Sequence, residues 1–280
     1  MVFKKSDWRL IRMPPARGAW NMAVDEMILQ FIVQGSSLPT LRLYDWEPAC
    51  LSLGYAQPVS DVLLEKLELD GYDLVRRATG GRAILHIDEL TYSVIGPQDE
   101  PRLKGGVLES YRILSTALLQ ALHLLVIPAH SDEKSKSGQE GGRKNENPVC
   151  FEVPSNYEIT VDGKKLIGSA QARRKGGVLQ HGTFPLCGDI TRIVNYLNFP
   201  DEASRQAAAD RLKQRALTAQ DAIGEAPAWE TAADAFEKAF KERLNLVLHP
   251  EALSPAEGSL VEESMEEKYS NPEWTNRILI

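Results

Sequence analysis

Three clusters in this sequence combine residue types that can do chemistry. The first is Arg76-Arg77-Ala-Thr79-Gly80-Gly81-Arg82-Ala-Ile-Leu-His86. Paired glycines let a backbone approach a ligand closely, and nearby arginines supply donors for a phosphate or carboxylate. The bland alternative is a hairpin turn with solvated arginines. The second cluster is Cys150-Phe-Glu-Val-Pro-Ser155, where the cysteine follows the polar stretch 130–147. Reactive thiols sit at such loop ends, although a free cysteine is more often an inert small hydrophobe. Cys50, inside an alternating apolar run, fits the inert reading, and Cys187, before Gly188, fits either. The third cluster is Gly163-Lys-Lys165-Leu-Ile-Gly168-Ser169-Ala170, continuing to Leu179-Gln-His181-Gly182. A lysine among Leu166, Ile167, Gly168 and Ala170 is either functional or a snorkelling surface residue. His86 and His181 are candidate bases or hydrogen-bonded structural histidines.

The elements that must position these residues follow from periodicity. Val24, Met27, Ile28, Phe31 and Ile32 predict a helix over 21–33, with Asn21 as its cap. Alternation predicts strands around Leu41–Leu43 and over 50–55, and residues 58–69 read as a helix. Strands are predicted over 73–77, 83–86 and 90–95, then a long helix over 108–125. Tyr157–Val161 and Lys165–Ser169 form a hairpin through Asp162-Gly163, and another strand covers 178–186. Helices follow over 190–197, 203–215, 229–244 and 256–268. The polar stretch 130–147 has no large apolar residue, so it is expected to stay out of the core, either as a mobile cover over the site or as an insertion without a role. Mixed strands and helices without regular βαβ alternation predict an α+β fold, with a largely antiparallel mixed sheet flanked by helices.

Composition narrows the classes. The chain has 280 residues, 43% hydrophobic and 25% charged, as in an ordinary globular protein. The longest apolar stretch, 117–129, is too short to cross a membrane, and no membrane partner is expected. The opening residues lack the apolar core of a secretory signal, which makes the cytoplasm the expected compartment. The net charge of −7 argues against a nucleic-acid partner. Seven glutamates against Lys268 and Arg277 give residues 251–280 a net charge of −5. The expected organisation is one catalytic domain over 1–250 and an acidic helical tail over 251–280, packed on it or extending from it. No Cys-x-x-Cys or His-Glu-x-x-His spacing suggests a metal.

The order and spacing of Arg76-Arg77-Ala-Thr-Gly-Gly-Arg-Ala, Leu90-Thr-Tyr-Ser, Lys165-Leu-Ile-Gly-Ser-Ala-Gln and Gln180-His-Gly resemble the lipoate and octanoate attachment superfamily, which shares a fold with biotin protein ligases. Lipoate ligases typically carry a third glycine where this chain has Arg82, and many have an extra domain after the catalytic one. Cys150 and its Phe-x-x-Pro-Ser surroundings look like the Gram-positive-type octanoyltransferases, which work through an acyl thioester without ATP. A related amidotransferase carries such a cysteine but lacks the paired arginines.

This resemblance implies that Cys150 accepts an octanoyl group from octanoyl-acyl carrier protein. A lysine of a lipoyl-domain protein, such as the glycine cleavage H protein, then takes it as an amide. Lys165, with a pKa lowered by apolar neighbours, would move the protons, and no cofactor is implied. Arg76, Arg77, Thr79, Gly80, Gly81, Arg82, His86, Gly168, Ser169, Ala170, His181 and Gly182 are the expected substrate-binding residues. Arg76, Arg77, Arg173, Arg174 and Lys175 are expected to dock the acidic partners, and Leu41, Leu43, Leu53, Ile84 and the first helix to line the acyl slot. The alternatives are an ATP-dependent lipoate ligase, an amidotransferase, a non-catalytic acyl-binding protein, and a cysteine hydrolase using Cys150 and His181.

Overall fold

The computed structural model describes residues 3–133 and 157–277. The strands are β1 (Ser6–Arg12), β2 (Thr40–Tyr44), β3 (Cys50–Leu53), β4 (Asp73–Arg76), β5 (Ile84–His86), β6 (Glu89–Pro97), β7 (His130–Glu133), β8 (Tyr157–Val161), β9 (Lys164–Arg174), β10 (Gly177–Pro185) and β11 (Leu246–Pro250). The helices are α1 (Gly18–Val33), α2 (Leu64–Leu69), α3 (Val107–Leu124), α4 (Glu202–Arg215), α5 (Ala219–Ile223), α6 (Trp229–Arg243), α7 (Pro255–Ser264) and α8 (Pro272–Asn276). An eight-stranded sheet runs β11-β1-β2-β6-β10-β9-β8-β7, and a three-stranded sheet runs β4-β3-β5. The pairs β11–β1, β1–β2 and β3–β4 are parallel and the rest antiparallel. The α+β class expected from the element order is the one observed.

Period-two alternation sorts the sheet into two faces. Leu90, Tyr92 and Val94 of β6 join Val178 and Phe184 of β10 against Leu114, Leu118 and Leu122 of α3 and Phe236 and Phe240 of α6. Full burial of each such apolar side chain contributes about 1.5–3 kcal/mol. Ile95 of β6 and Leu179 of β10 face the other way, against Met22, Ala23, Met27 and Ile28 of α1. The polar residues between β6, β10 and α1 form the candidate site.

Several elements differ from the periodicity reading. Helix α1 starts a turn earlier, at Gly18, whose amide donates to Asp73, and an added Cβ there would meet Cys50 Sγ at 2.4 Å. Asn21 therefore lies buried within the helix and does not cap it. The 58–69 helix is broken: a 3-10 turn over Val59–Asp61 precedes α2, because Val62 is extended and bridges Leu197. Residues 190–196 are 3-10 helix, and the helix over 256–268 ends in a π-helical turn at Met265–Tyr269. β1, β7 and β11 are additional strands, and His130–Glu133, expected in a polar loop, pairs with β8. The remainder of that stretch lies outside the described residues. No described helix is long and apolar enough to cross a membrane.

Helix α7 packs against α1. Glu257 is buried and pairs with Arg9 at 2.7 Å, and Lys268 reaches Glu26 at 2.6 Å.

Candidate active site

The glycine motif leaves the small sheet at β4 and returns at β5. Arg77 is buried and its donors end mostly on carbonyls: Ser52 O at 2.9 Å, Gly80 O at 2.9 Å and Arg82 O at 2.7 Å. Its Nη1 also reaches Ser52 Oγ at 3.0 Å. This fork fixes the loop because guanidinium geometry allows several bonds in one plane. Gly54 lies beneath the loop, where an added Cβ would sit 1.9 Å from Gly81 O. Gly81 itself has φ +95° and is exposed.

Two buried polar chains support the floor. In one, Glu89 Oε1 lies 2.8 Å from His86 Nδ1, and His86 Nε2 lies 2.8 Å from Ser52 Oγ. Trp46 stacks on the His86 ring at 4.0 Å, and Thr91 and Thr183 donate to Glu89. With Nδ1–H facing Glu89, His86 Nε2 accepts from Ser52, whose oxygen in turn accepts from Arg77. In the other chain, Asp25 faces Arg42 at 2.8 Å and accepts from Ser93 at 2.7 Å. His181 Nδ1 lies 3.5 Å from Asp25, and its Nε2 lies 2.6 Å from the Thr79 hydroxyl.

Burial alone would raise the Asp25 carboxyl, but Arg42, His181 and Ser93 outweigh it and hold it below the usual carboxylate range. Burial lowers the His181 imidazole, and Asp25 only partly opposes this. Both ring nitrogens of His181 already have partners, Asp25 and the Thr79 hydroxyl.

A β-bulge aims Lys165. The Asp162-Gly163 hairpin pairs Val161 with Lys164 and Thr160 with Lys165, but then Ile159 with Ile167, so Leu166 is extra. Cross-strand partners share a face. Ile159 and Ile167 face the α3 core, whereas Thr160 and Lys165 lie on the opposite face, the one that carries Ala170 and His181. Without the bulge, strict alternation would put Lys165 with Ile167. Its Nζ is buried 3.7 Å from Glu158, so the setting is not purely apolar as expected.

The predicted residues divide accordingly. Gly168, Ser169, Ala170, His181 and Gly182 come together with Arg77, Ser52, His86 and Met22 around an enclosed cavity of about 20 Å³. Gly80, Gly81 and Arg82 line an open cleft of about 720 Å³ beside Tyr55, Arg173 and Arg174. Arg76 and Arg77 are buried and bonded to carbonyls, so neither is the docking residue expected of it. Of the expected acyl-slot residues, Ile84 and Met22 of α1 line the cavity, while Leu41 and Leu43 face the α3 core and Leu53 a separate cluster. A space of that size holds about one water, not an eight-carbon chain. Cys150 lies outside the described residues. Cys50 is buried, with its thiol pushed well up by burial, and Cys187 is raised by burial and Asp88. Neither is an activated thiol.

Asp25, Arg42, Ser52, Gly54, Glu89 and Glu158 were not singled out by the sequence. Two carried a signal: Asp25 interrupts the apolar face of a helix, and Glu89 directly precedes an apolar strand run.

Comparison with known proteins agrees with this architecture. The lipoyl protein ligase A/B catalytic domain family matches residues 17–241. Octanoyltransferase LipM of Brevibacillus brevis is 40% identical over 274 residues, covering 96% of this chain and 99% of that protein. The Staphylococcus aureus protein of the same name is 37% identical, with 96% and 98% covered. A bi-partite lipoate protein ligase from Thermoplasma acidophilum superposes with a TM-score of 0.79 at 26% identity, covering 98% of each chain. Lipoate-protein ligase A bound with ATP, 24% identical, shares the fold at a TM-score of 0.78, over 98% of this chain and 100% of that one. With the family domain spanning most of its length and octanoyltransferases aligning nearly end to end, this chain belongs to the lipoyl protein ligase A/B catalytic family and to its octanoyltransferase branch.

Proposed function

We propose that the chain moves an octanoyl group from octanoyl-acyl carrier protein to Cys150, and from there to a lysine ε-amine of a lipoyl-domain protein of the glycine cleavage H type. The observation that carries the reading is the near end-to-end similarity to octanoyltransferases, joined to a lysine turned onto the site face by the β9 bulge. In the first step the Cys150 thiolate attacks the donor thioester carbonyl and expels the carrier thiolate, a near-isoenergetic exchange that needs no nucleotide. In the second, the acceptor amine attacks the enzyme thioester, releases the Cys150 thiolate and loses a proton.

Lys165, paired with Glu158, is the group assigned to that proton and to the negative charge building on the carbonyl oxygen. Gly80 and Gly81, exposed on the cleft wall, allow close backbone approach of the reacting thioester. Arg82, Arg173 and Arg174 give the cleft the charge that suits acidic donors and acceptors.

The test is intact mass spectrometry after mixing with octanoyl-carrier in the absence of ATP. The parent gains one octanoyl group and passes it to a lipoyl domain, and Cys150→Ala gains none. Activity that requires ATP and free lipoate would identify a ligase instead. Acylation of Cys150→Ala, with loss in Cys187→Ala, would move the nucleophile.

A further inference from the structure

Arg76 is fully buried at the end of β4, yet among the described residues it faces no carboxylate. Nη1 donates to the carbonyls of Gly54, Tyr55 and Gln57 at 2.9, 3.2 and 2.5 Å. Nε and Nη2 both donate to Thr275 O, at 3.0 and 2.6 Å, from a residue 199 positions later. The bond is returned, since Trp274 Nε1 donates to Arg76 O at 2.8 Å. Arg277 covers the Trp274 ring at 3.5 Å and the Tyr55 ring at 4.0 Å, and donates to Tyr55 O at 3.2 Å. Arg174 sits on the same Tyr55 ring at 4.4 Å.

The Gly54–Gln57 turn gripped in this way is the layer directly under the glycine loop. Tyr55 N donates to Thr79 O at 2.8 Å, Gly54 abuts Gly81, and Tyr55 and Gln57 line the cleft. Lys268 links that segment to α1, lying over the Trp274 ring at 4.3 Å while its ammonium pairs with Glu26 at 2.6 Å. Bonds from a buried guanidinium to carbonyls are among the stronger ones, and a lost partner leaves a desolvated group behind.

We infer that residues 272–277 are a positioning element of the active site: they clamp Arg76 and the Gly54–Gln57 turn, and so set the shape of the glycine loop. The acyl-transfer reading is needed only for the activity arm of the test. In the 280-residue chain, Trp274→Ala removes both the ring and the N–H, whereas Trp274→Phe keeps a ring for Arg277 and loses only the donor.

Trp274→Ala is expected to slow acylation about tenfold or more, as displaced catalytic geometry does, with Trp274→Phe intermediate. Amide hydrogen exchange should quicken at residues 54–57 and 78–82 and stay unchanged in α3 and β6. Acylation within about twofold of the parent together with unchanged loop exchange overturns the inference, as does exchange that rises equally over the whole chain, which marks a general stabiliser. Should Trp274→Ala fail to fold, half-buried Arg277→Ala carries the same exchange test: faster exchange confined to the two loops supports the clamp, and unchanged or uniformly faster exchange overturns it. A parent that transfers no octanoyl group would refute the functional reading, and the exchange pattern would still decide this one.

Discussion

In the glycine motif Arg76 and Arg77 donate mostly to carbonyls, whereas at the start of β9 a cation meets a carboxylate. Arg77 holds Gly80 and Arg82 from inside, and Arg76 holds the turn beneath them. Carbonyl acceptors do not titrate, so these bonds are themselves insensitive to pH. Lys165 and Glu158 form a buried ion pair, with Nζ and Oε1 3.7 Å apart, on the hairpin side of the sheet. The difference lies in the partner: neutral backbone dipoles hold the glycine loop, whereas an ion pair sits at the start of β9.

Lys165→Arg is the sharpest way to probe that division, because arginine keeps the charge but does not give up a proton near neutral pH. The variant should fold normally and transfer octanoyl about a hundredfold or more slowly. Lys164→Arg, on the other face, should stay within about twofold. Transfer assays that reverse this order would mean the bulge does not aim Lys165 as described.

Arg77→Lys tests the other half. A point charge does not reproduce the fork, and denaturant unfolding should show a loss of about 2–3 kcal/mol. Unchanged stability would mean that the loop holds itself.

Gly54→Ala places a methyl against Gly81 O and should destabilise by about 1–3 kcal/mol while lowering transfer. Gly80→Ala, with nothing within 4 Å of an added Cβ, should leave stability within about 0.5 kcal/mol. Equal effects of the two substitutions, read by thermal unfolding, would remove the close approach as an explanation.

The smallest effect is on the pH profile. His181 is held below its ordinary value of 6.5, so below that pH the unfolded chain binds a proton that the folded chain refuses. Stability therefore falls as the pH drops below 6.5 and levels off below the folded pKa. Asp25, also lowered, adds a loss of the same sign at more acid pH. His181→Gln should flatten the first part of this fall in melting temperature, and an unchanged slope would place the titration elsewhere.

Local chemistry in the sequence determined much of this protein. Helical spacing marked α1, α3 and α6, alternation marked most strands near the site, Asp162-Gly163 marked the hairpin, and the ordered motifs marked the family. Those signals are short-range, since each depends on residues within a turn or a strand of one another. Tertiary structure decided what the motif residues do. Whether Arg76 meets a ligand or a carbonyl depended on Thr275 folding back over it. Which way Lys165 points depended on one extra residue against β8, and a one-residue shift reverses every side chain in a strand. Asp25, Ser93 and His181 stand on three separate elements, and only the packing of α1 onto β6 and β10 makes them one network.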